Sequence, residues 1–272
     1  MKKVIGIDLG GTFIRAGISS GRDIAGYVKV KTPKTQKEIL KKICELIYSF
    51  DLKKIKGIGV GVPGFTKDGF VKKTPNLPIK NFDLKKFLEK KFEKKVYVEN
   101  DAKCIALSEI KFETKKRNVL ILTLGTGIGG AIIVNGEIYF GNGYAGEVGH
   151  MMVGENKDWE SLWKDVLKKM KREFGEGFLI KEIINSKSKK AKALLDEAYE
   201  TLALGIGSLI SAIDPEEIIL MGGIREAGNK FIAGINKKLK TKTINPKIPP
   251  IRWSKIPHPG VFGAILLTEK IG

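Results

Sequence analysis

Residues 121–130 read ILTLGTGIGG, an apolar run that breaks into a glycine-threonine-glycine turn at Gly125–Gly127. A second apolar segment, AIIV, follows it and ends at Asn135-Gly136, a pair typical of a two-residue hairpin turn. The stretch therefore predicts a strand, a glycine turn and a second strand. Glycine lets backbone N–H groups approach a phosphate closely, so this turn is a candidate anion site.

Two common nucleotide-binding folds do not fit this stretch. The spacing of Gly125, Gly127 and Gly130 matches the dinucleotide-binding fingerprint, but that fold requires a helix directly after the glycines. Here a strand follows. A Walker P-loop needs a Gly-Lys pair followed by serine or threonine, and the chain contains no Gly-Lys pair.

A matching pattern lies near the start of the chain, where residues 5–18 read IGIDLGGTFIRAGI. Both patterns continue into alternating helical and apolar segments, which predicts two α/β halves related by an internal duplication, with a cleft between them. One glycine turn is explained equally well by backbone shape alone. Two matching turns favour phosphate binding at Gly10, Gly11 and Gly125–Gly127, with hydroxyl donors from Thr12 and Thr126.

Asp8 closes the first predicted strand, directly before the first glycine turn. A carboxylate in this position repels phosphate unless a cation lies between them. The simplest role for Asp8 is therefore to hold Mg²⁺ through water beside the phosphates of a nucleotide.

Apolar periodicity assigns the remaining elements. The predicted helices are TQKEILKKICELIYSF, FDLKKFLEKKF, DAKCIALSEIKF, WESLWKDVLKKMKREF, a segment at about 177–185, KAKALLDEAYETLALGIGSLISAI and GVFGAILLTEK. The further predicted strands are KGIGVGVPGF, VYVEN and EEIILMGGI. We expect a loop with Pro75 and Pro78 after the first of these strands.

The charge balance is strongly positive, with 49 Lys and Arg against 30 Asp and Glu and a net charge of +19. Such a charge can attract nucleic acid. The lysines are interleaved with glutamates along the helical segments and form no basic patch with aromatic residues, so we expect a solvated surface and no nucleic-acid partner. Abundant Lys and Glu beside a single glutamine, Gln36, is also typical of proteins from hot habitats.

The apolar segments and the cysteines exclude several classes of protein. No run reaches the roughly 18 apolar residues of a spanning helix, and Asp8 interrupts the short apolar stretch at the N-terminus. We therefore expect a cytoplasmic protein with no membrane partner. Cys44 and Cys104 lie in predicted helices and are interpreted as buried thiols rather than a disulfide framework.

Six motifs occur in the order that they have in one known protein family. They are IGIDLGGTFIRAGI, GVGVPGF, VYVENDA, TLGTGIGGAIIVNGEIYFG, GYAGEVGHM and IILMGGI. They span nearly the whole chain, which resembles the ROK sugar kinases of the actin/hexokinase-like ATPase superfamily. The resemblance implies an α/β fold of two ribonuclease H-like (actin/hexokinase-type) domains with a cleft between them. One domain is residues 1–115, completed by a C-terminal helix at 258–272, and the other is residues 116–257.

The resemblance implies an ATP-dependent kinase that phosphorylates the 6-hydroxyl of a hexose, with glucose as the first expectation. ATP and Mg²⁺ are the implied cofactors, and a homodimer is the implied assembly. Asp101 is the implied catalytic base and also contacts the sugar. The other implied sugar-binding residues are Gly64, Asn76, Asn100, Glu147, His150 and Glu160. The implied nucleotide-binding residues are Asp8, Gly10, Gly11, Thr12, Gly125, Thr126, Gly127, Gly222 and Gly223.

The chain departs from the family pattern in two places. In many members the Gly-His-Met motif precedes a run of cysteines that binds a structural zinc, whereas here GHMMVGENKDWESLWKD contains no cysteine. No zinc site is therefore expected, packing or hydrogen bonds must orient His150, and Glu160 aligns with the last glutamate of that run. The family's repressors carry a helix-turn-helix ahead of the core, which is not expected here because the first motif begins at Ile5.

Several interpretations stay open at this stage. Asn100 and Asp101 precede a predicted helix and could simply cap it, and Glu147 and His150 could belong to an ordinary polar loop. The same chemistry could act on fructose, mannose, glucosamine or an N-acetylhexosamine. In a different class, a non-catalytic sugar-responsive regulator would bind DNA with a steep salt dependence and show no kinase turnover.

Overall fold

The computed structural model describes residues 3–21 and 23–269. The described chain divides into two compact units. Unit 1 contains the described residues up to Lys115, the segment Phe140–Ala145 and the residues from Ile256 onward. Unit 2 contains Lys116–Tyr139 and Gly146–Lys255.

Unit 1 is built around a five-stranded mixed sheet. The strands of this unit are β1 (Lys3–Leu9), β2 (Phe13–Ser20), β3 (Asp23–Lys31), β4 (Ile55–Val62), β5 (Phe65–Lys67), β6 (Phe70–Lys73), β7 (Lys80–Asp83) and β8 (Lys95–Asn100). The order in the large sheet is β3-β2-β1-β4-β8. β2 is antiparallel to both β1 and β3, and β4 and β8 are parallel to β1. β4 is buried along nearly its whole length, as expected for a parallel strand that is covered on both faces.

Unit 2 repeats this sheet order with its own strands. They are β9 (Val119–Leu124), β10 (Ile128–Val134), β11 (Glu137–Ile138), β12 (Glu217–Met221) and β13 (Ile251–Trp253), arranged as β11-β10-β9-β12-β13. β10 is antiparallel to β9, and β12 is parallel to β9. The internal duplication that the sequence predicts is thus present in the strand order. Asn135 and Gly136 join β10 to β11 with φ of +55° and +86°, as a tight hairpin turn requires.

The helices alternate with groups of strands along the chain, and most were expected from apolar periodicity. They are α1 (Gln36–Tyr48), α2 (Leu84–Phe92), α3 (Asp101–Phe112), α4 (Trp159–Phe174), α5 (Ile180–Asn185), α6 (Lys189–Ile213), α7 (Gly228–Leu239) and α8 (Pro259–Leu266). In α1 the residues at helical spacing, Ile39, Ile43 and Ile47, are fully buried. Its first turn is capped by Thr35, whose hydroxyl accepts from the Glu38 N–H at 3.3 Å.

The C-terminal helix α8 packs on the sheet of unit 1 through contacts that only glycine permits. A Cβ at Gly59 in β4 would lie 1.7 Å from the Ala264 carbonyl oxygen. A Cβ at Gly263 would likewise lie 1.7 Å from the Cys104 carbonyl oxygen in α3. Because these approaches are backbone to backbone, they fix α8 against β4 and α3.

The structure contains several elements that the sequence analysis did not predict. β5, β6 and β7 form a three-stranded antiparallel sheet where only a loop was expected, because each strand is too short to establish a period. The helix α7 was also missed. It begins at Gly228 without a side-chain cap, although Phe231, Ile235 and Leu239 are fully buried along one face.

The core of unit 2 lies between its sheet and the helices α4, α6 and α7. Trp159, Trp163 and Phe231 are its largest fully buried side chains. In the part of the chain that the structure describes, no helix combines the length and the apolar character needed to cross a bilayer.

Candidate active site

The first glycine turn joins β1 to β2 at the carboxyl end of β1. The Gly10 N–H donates to the Phe13 carbonyl at 3.0 Å, and the Thr32 hydroxyl donates to the Gly10 carbonyl at 2.7 Å. Gly11 and Thr12 are exposed at the tip of the turn. Their backbone N–H groups and the Thr12 hydroxyl are therefore open to a ligand.

Asp8 lies beside this turn and forms an ion pair that the sequence analysis missed. Its Oδ2 lies 3.0 Å from Arg15 Nη1, and the two side chains are 16% and 31% exposed. Burial raises the pKa of the Asp8 carboxyl, and the Arg15 guanidinium opposes that rise. A β1–β2 hairpin drawn from the sequence could have predicted this ion pair, because Asp8 and Arg15 are directly opposite each other in the register of the two strands.

The start of α8 closes the other side of Asp8. A Cβ at Gly260 would lie 2.7 Å from Asp8 Cγ, so only glycine fits beside this carboxylate. His258 precedes the helix with φ of +52°, and its ring stacks on Tyr27 at a centroid distance of 3.8 Å. Burial, and then the positive charge of Arg15, lower the pKa of His258.

Asn100 and Asp101 begin α3 at the end of β8. Asn100 is 7% exposed, and its Oδ1 caps the helix by accepting from Ala102 N–H at 2.9 Å and Lys103 N–H at 3.2 Å. Asp101 stands in the first helical turn, where its Oδ1 accepts from its neighbour's N–H at 2.9 Å. Capping is thus a property of Asn100, and Asp101 occupies a position where the helix dipole favours an ionised carboxylate.

Sheet register places Asp8 and the start of α3 at one edge. Asp8 is paired with Gly61 in β4, and Gly61 is paired with Glu99 in β8. All three strands are parallel, so their carboxyl ends lie along the same edge, which is where ligands bind in open α/β sheets. The turn of Gly10–Thr12 comes directly after β1, and Asn100 and Asp101 stand where β8 ends, so both lie at that edge.

Gly64 and Asn76 also belong to this part of unit 1. The Gly64 carbonyl accepts from Asn100 Nδ2 at 3.1 Å. Asn76 is exposed in the loop between β6 and β7, and a Cβ at Gly11 would lie 3.4 Å from its Cβ. Gly64 thus binds Asn100, and Asn76 lies beside Gly11.

The second glycine turn joins β9 to β10 in unit 2, as the sequence predicts. The Gly125 N–H donates to the Gly127 carbonyl at 3.0 Å. Helix α4 holds the turn at two points. Trp163 Nε1 donates to the Gly125 carbonyl at 2.9 Å, and Glu160 Oε2 accepts from the Ile128 N–H at 2.9 Å. Gly222 lies against the same turn, since a Cβ there would lie 2.0 Å from the Leu124 carbonyl oxygen.

A cavity of about 750 Å³ opens beside this turn. Gly125, Thr126 and Gly223 form one part of its wall. Its apolar lining includes Leu167, Phe178, Ile180 and Ile224, and four lysines also line it: Lys164, Lys168, Lys171 and Lys181. The lining also contains Glu176 and Glu226, which pair with Lys171 and Lys181, and Lys164 pairs with Glu160. An apolar cavity of this volume with a few polar groups at its wall is typical of a small-molecule site.

Glu147 precedes a short 3₁₀ turn at Val148–His150, and His150 is its last residue. His150 Nδ1 lies 3.0 Å from Asp158 Oδ2. Partial burial raises the pKa of Asp158, but its hydrogen bonds with Ser161 and His150 outweigh this and lower the pKa overall. Asp158 is thus a hydrogen-bond partner of the imidazole, and sequence reasoning did not identify it.

Glu160 is buried at 7% exposure and already has two partners. Besides the Ile128 N–H, its carboxylate contacts Lys164 Nζ at 2.5 Å. A Cβ at Gly127 would lie 2.2 Å from Glu160 Oε2, so the carboxylate presses directly on the glycine turn. Lys164 then links this carboxylate to the cavity wall.

The structure therefore gathers the predicted site residues into two groups, one in each unit. In unit 1 these are Asp8, Gly10, Gly11, Thr12, Gly64, Asn76, Asn100 and Asp101. In unit 2 they are Gly125, Thr126, Gly127, Glu147, His150, Glu160, Gly222 and Gly223. Their functional roles remain predictions.

Comparison with known proteins identifies the family. A family model described as the ROK family matches residues 4–271. The chain belongs to the ROK family. It is similar to an N-acetyl-D-glucosamine kinase of Histophilus somni (strain 129Pt), with 32% identity over 305 aligned positions that cover 96% of this chain and 97% of that protein. It is 31% identical to a glucokinase of Pyrobaculum calidifontis over 97% of this chain and 91% of that protein.

A solved structure confirms the fold class of this ROK protein. A ROK family glucokinase from Streptomyces griseus, in complex with glucose and AMPPNP, is similar with a TM-score of 0.86 and 26% identity. The match covers 98% of this chain and 99% of that chain. The α/β fold of actin/hexokinase type that the motifs imply is thus confirmed.

Proposed function

We propose that the protein is an ATP-dependent hexose kinase that transfers the γ-phosphoryl group of ATP to the 6-hydroxyl of its sugar. The observation that carries this proposal is the arrangement at one edge of the unit 1 sheet. Asp8, the turn of Gly10–Thr12 and Asp101 all lie at this edge, where the parallel strands end. A carboxylate base and a phosphate-binding turn are the two parts that such a transfer needs. The activities named for the two curated relatives and the ligands of the similar structure support the proposal.

In this mechanism Asp101 accepts the proton of the sugar hydroxyl and directs the oxygen toward the γ-phosphorus. The first turn of α3 stabilises the ionised carboxylate that a base requires. General-base assistance of this kind contributes about 10²–10⁴-fold to the rate. The P–O bond to ADP breaks as the bond to the sugar oxygen forms, and ADP leaves with the electron pair.

Asp8 is proposed to hold a Mg²⁺ ion that arrives with the nucleotide, while its Oδ2 keeps the ion pair with Arg15. Among residues 3–21 and 23–269, no three His, Cys, Asp or Glu side chains form a cluster that could hold a metal ion. Mg²⁺ needs only one or two protein carboxylates when phosphates and water complete its shell. Asp8 offers one carboxylate next to the turn, and when bound the ion would neutralise charge on the donor phosphates.

The nucleotide is proposed to occupy the unit 2 cavity. Its apolar wall suits the flat faces of a purine base, and the N–H groups of Thr126 and Gly127 with the Thr126 hydroxyl would bind phosphate oxygens. Gly222 and Gly223 let the backbone after β12 approach the ligand closely. Lys168 on α4 adds positive charge at the same wall, whereas Lys164 and Lys171 pair with Glu160 and Glu176.

The proposed sugar is glucose, with fructose, mannose, glucosamine or an N-acetylhexosamine as alternatives of the same chemistry. Gly64, Asn76, Asn100, Glu147, His150 and Glu160 are proposed to hold its hydroxyl groups. Two of these residues already use polar atoms elsewhere, since Asn100 caps α3 and Glu160 binds the Ile128 N–H. They would therefore contact the sugar with the hydrogen-bonding capacity that remains.

The test is a coupled assay of ADP release with Mg·ATP and a panel of these sugars, for the wild type and for Asp101→Asn and Asp101→Ala. We expect sugar-dependent turnover that falls by about 10²–10⁴-fold in both variants. The matched control is Asp83→Asn, which changes an aspartate that caps the start of α2 by accepting from Lys86 N–H at 2.8 Å. The control variant should keep wild-type turnover.

A folded wild type without turnover on any sugar would overturn the proposal. Undiminished turnover in the Asp101 variants would overturn the assignment of the base. DNA binding that weakens steeply with salt, together with no turnover, would favour a non-catalytic regulator, the function that the net charge of +19 supports.

A further inference from the structure

Lys103 is a buried lysine two residues after the proposed base. The residue is 2% exposed, although lysines are almost never fully buried without partners. It lies in the first turn of α3, where its backbone N–H donates to the capping oxygen of Asn100. Burying an ammonium group is strongly unfavourable unless it is paired and hydrogen-bonded. The groups that bind the Lys103 ammonium therefore indicate the role of this residue.

The ammonium group of Lys103 has three partners within unit 1. Nζ donates to the Gly143 carbonyl at 2.6 Å. It lies 3.7 Å from Glu99 Oε1 and 5.0 Å from the centre of the Phe140 ring. Burial raises the pKa of Glu99, and its hydrogen bond with the Asn100 N–H and the charge of Lys103 oppose that rise. Two of the three partners, Gly143 and Phe140, belong to the segment Phe140–Ala145.

This segment, Phe140–Ala145, has few bonds of its own and contacts the proposed sugar side of unit 1. Its internal hydrogen bonds run from the N–H groups of Gly143 and Ala145 to the Phe140 carbonyl, at 2.8 and 3.2 Å. The Tyr144 ring packs edge-on against Phe65 at a centroid distance of 5.6 Å. Phe65 directly follows Gly64, whose carbonyl binds Asn100. Lys103 thus holds this segment beside residues proposed to contact the sugar.

We propose that Lys103 is a positioning residue that fixes the segment Phe140–Ala145 next to Asn100 and Asp101 and so sets the affinity for the sugar. The inference rests on the proposed function. An apolar side chain could fill the same space but could not bind the Gly143 carbonyl, whose acceptor would then be left without its ammonium donor. Phe140 and Tyr144 are 41% and 40% exposed. Burial of these rings would therefore do little to hold the segment once that hydrogen bond is lost.

The first measurement follows the segment itself, with no sugar and no nucleotide present. Chymotrypsin cleaves after aromatic residues, and Tyr139, Phe140 and Tyr144 are at least 40% exposed. In Lys103→Met we expect cleavage at these residues, read by mass spectrometry, to become about tenfold faster because the segment opens more often. The matched control is Lys67→Met, which removes an exposed lysine that donates to Asn142 Oδ1 of the same segment at 3.3 Å. Its cleavage should stay close to wild type.

The second measurement separates positioning from a general loss of structure. In Lys103→Met we expect the KM for the sugar to rise about tenfold, with kcat and the KM for ATP changed by less than about threefold. A variant that had merely lost structure would lose kcat and both affinities together. Lys67→Met should keep all three constants. If Lys103→Met does not fold, Lys103→Gln carries both measurements with smaller expected changes of about threefold, because its neutral amide is a weaker donor to the Gly143 carbonyl than the ammonium group.

The outcomes are distinguishable from those of the proposed function. Unchanged cleavage in a folded Lys103 variant would overturn the inference, and so would faster cleavage without any change in the KM for the sugar. A wild type without sugar-dependent ADP release would contradict the proposed function, whereas the cleavage rates would still show whether Lys103 holds the segment.

Discussion

The turn between β1 and β2 and the turn between β9 and β10 occupy the same place in two sheets of the same strand order, yet different chemistry holds them. Asp8 is the second-to-last residue of β1, and Thr123 is the second-to-last residue of β9. Asp8 faces Arg15 across the hairpin, whereas Thr123 faces Gly129. The first turn therefore contains a charged pair, and the second is neutral at the equivalent position.

The two turns also differ in the element that supports them. At the first, the start of α8 lies against Asp8 through Gly260. At the second, α4 contributes Glu160 and Trp163, whose side chains bind the backbone on both sides of the turn. A cavity opens beside the second turn. The duplicated strand order thus gives the two turns the same place in their sheets, while a different helix packs on each of them.

The largest effect is expected where the backbone itself supports the second turn. Gly222 has φ of +111°, and a Cβ there would lie 2.0 Å from the Leu124 carbonyl oxygen. Gly222→Ala should therefore lower the free energy of unfolding by about 3 kcal/mol or more, through backbone strain and overpacking. Denaturant unfolding measures this change.

Gly223→Ala is the matched control for that substitution. Its Cβ would meet no atom within 4 Å, and its φ lies outside the left-handed region. We expect a change below about 0.5 kcal/mol, as for an ordinary surface position. Equal losses in both variants would contradict the close contact between Gly222 and the turn.

The next effect separates the charged turn from the neutral one by pH. Arg15→Met removes the guanidinium that opposes the raised pKa of Asp8, so that pKa should rise further. A carboxyl group whose pKa is raised in the folded state destabilises the folded state at pH values above the ordinary aspartate pKa of 3.8. Well below that pH it has no such effect, because the group is protonated in both states. The variant should therefore lose about 2 kcal/mol at neutral pH, and less as the pH falls toward 4.

Two further variants test the origin of that pH dependence. Thr123→Val changes the equivalent position of the second turn and should give a loss that does not vary with pH. In an Asp8→Asn background, Arg15→Met should also lose its pH dependence, because the carboxyl that titrates is gone. Thermal unfolding between pH 4 and pH 7 measures both. A flat profile for Arg15→Met alone would contradict the charged pair.

The sequence predicts the two turns well because their signals are local. Strand, turn and strand follow in order at both sites. At the neighbouring turn from β10 to β11, Asn135 and Gly136 likewise adopt the positive φ angles that the hairpin signal implies. α7 was missed because its first residue, Gly228, is a helix breaker and no side chain caps it. Its apolar spacing was present in the sequence and could have identified it.

The supporting contacts could not be predicted, because they join distant parts of the chain. Glu160 binds the N–H of Ile128, 32 residues earlier, and Gly260 lies against Asp8 near the other end of the chain. Lys103 binds a carbonyl 40 residues later. Sequence patterns assign residues to strands and helices, but only tertiary packing decides which polar groups meet.

A smaller effect tests whether the indole of Trp163 supports nucleotide binding at the second turn. Trp159 and Trp163 are both fully buried, and each donates one hydrogen bond from Nε1. Trp163 binds the Gly125 carbonyl, whereas Trp159 binds the Thr201 carbonyl at 2.8 Å. Both Trp→Phe variants should lose stability, but only Trp163→Phe should weaken the binding of Mg·ADP, by about fivefold. Calorimetric titration measures the affinity, and equal weakening in both variants would contradict a specific role for the turn.

The smallest effect concerns the lysines that line the cavity beside the second turn. Lys168 lines the cavity, whereas the adjacent Lys169 does not and instead pairs with Glu197 at 2.5 Å. Lys168→Ala should weaken Mg·ADP binding about twofold, because an exposed charge near the ligand contributes only a fraction of a kcal/mol. Lys169→Ala should not. The difference should vanish near 1 M salt, where charges are screened over about 3 Å. A difference that persists there would mean that Lys168 acts through packing against the ligand rather than through its charge, and no difference at low salt would place the nucleotide away from this wall.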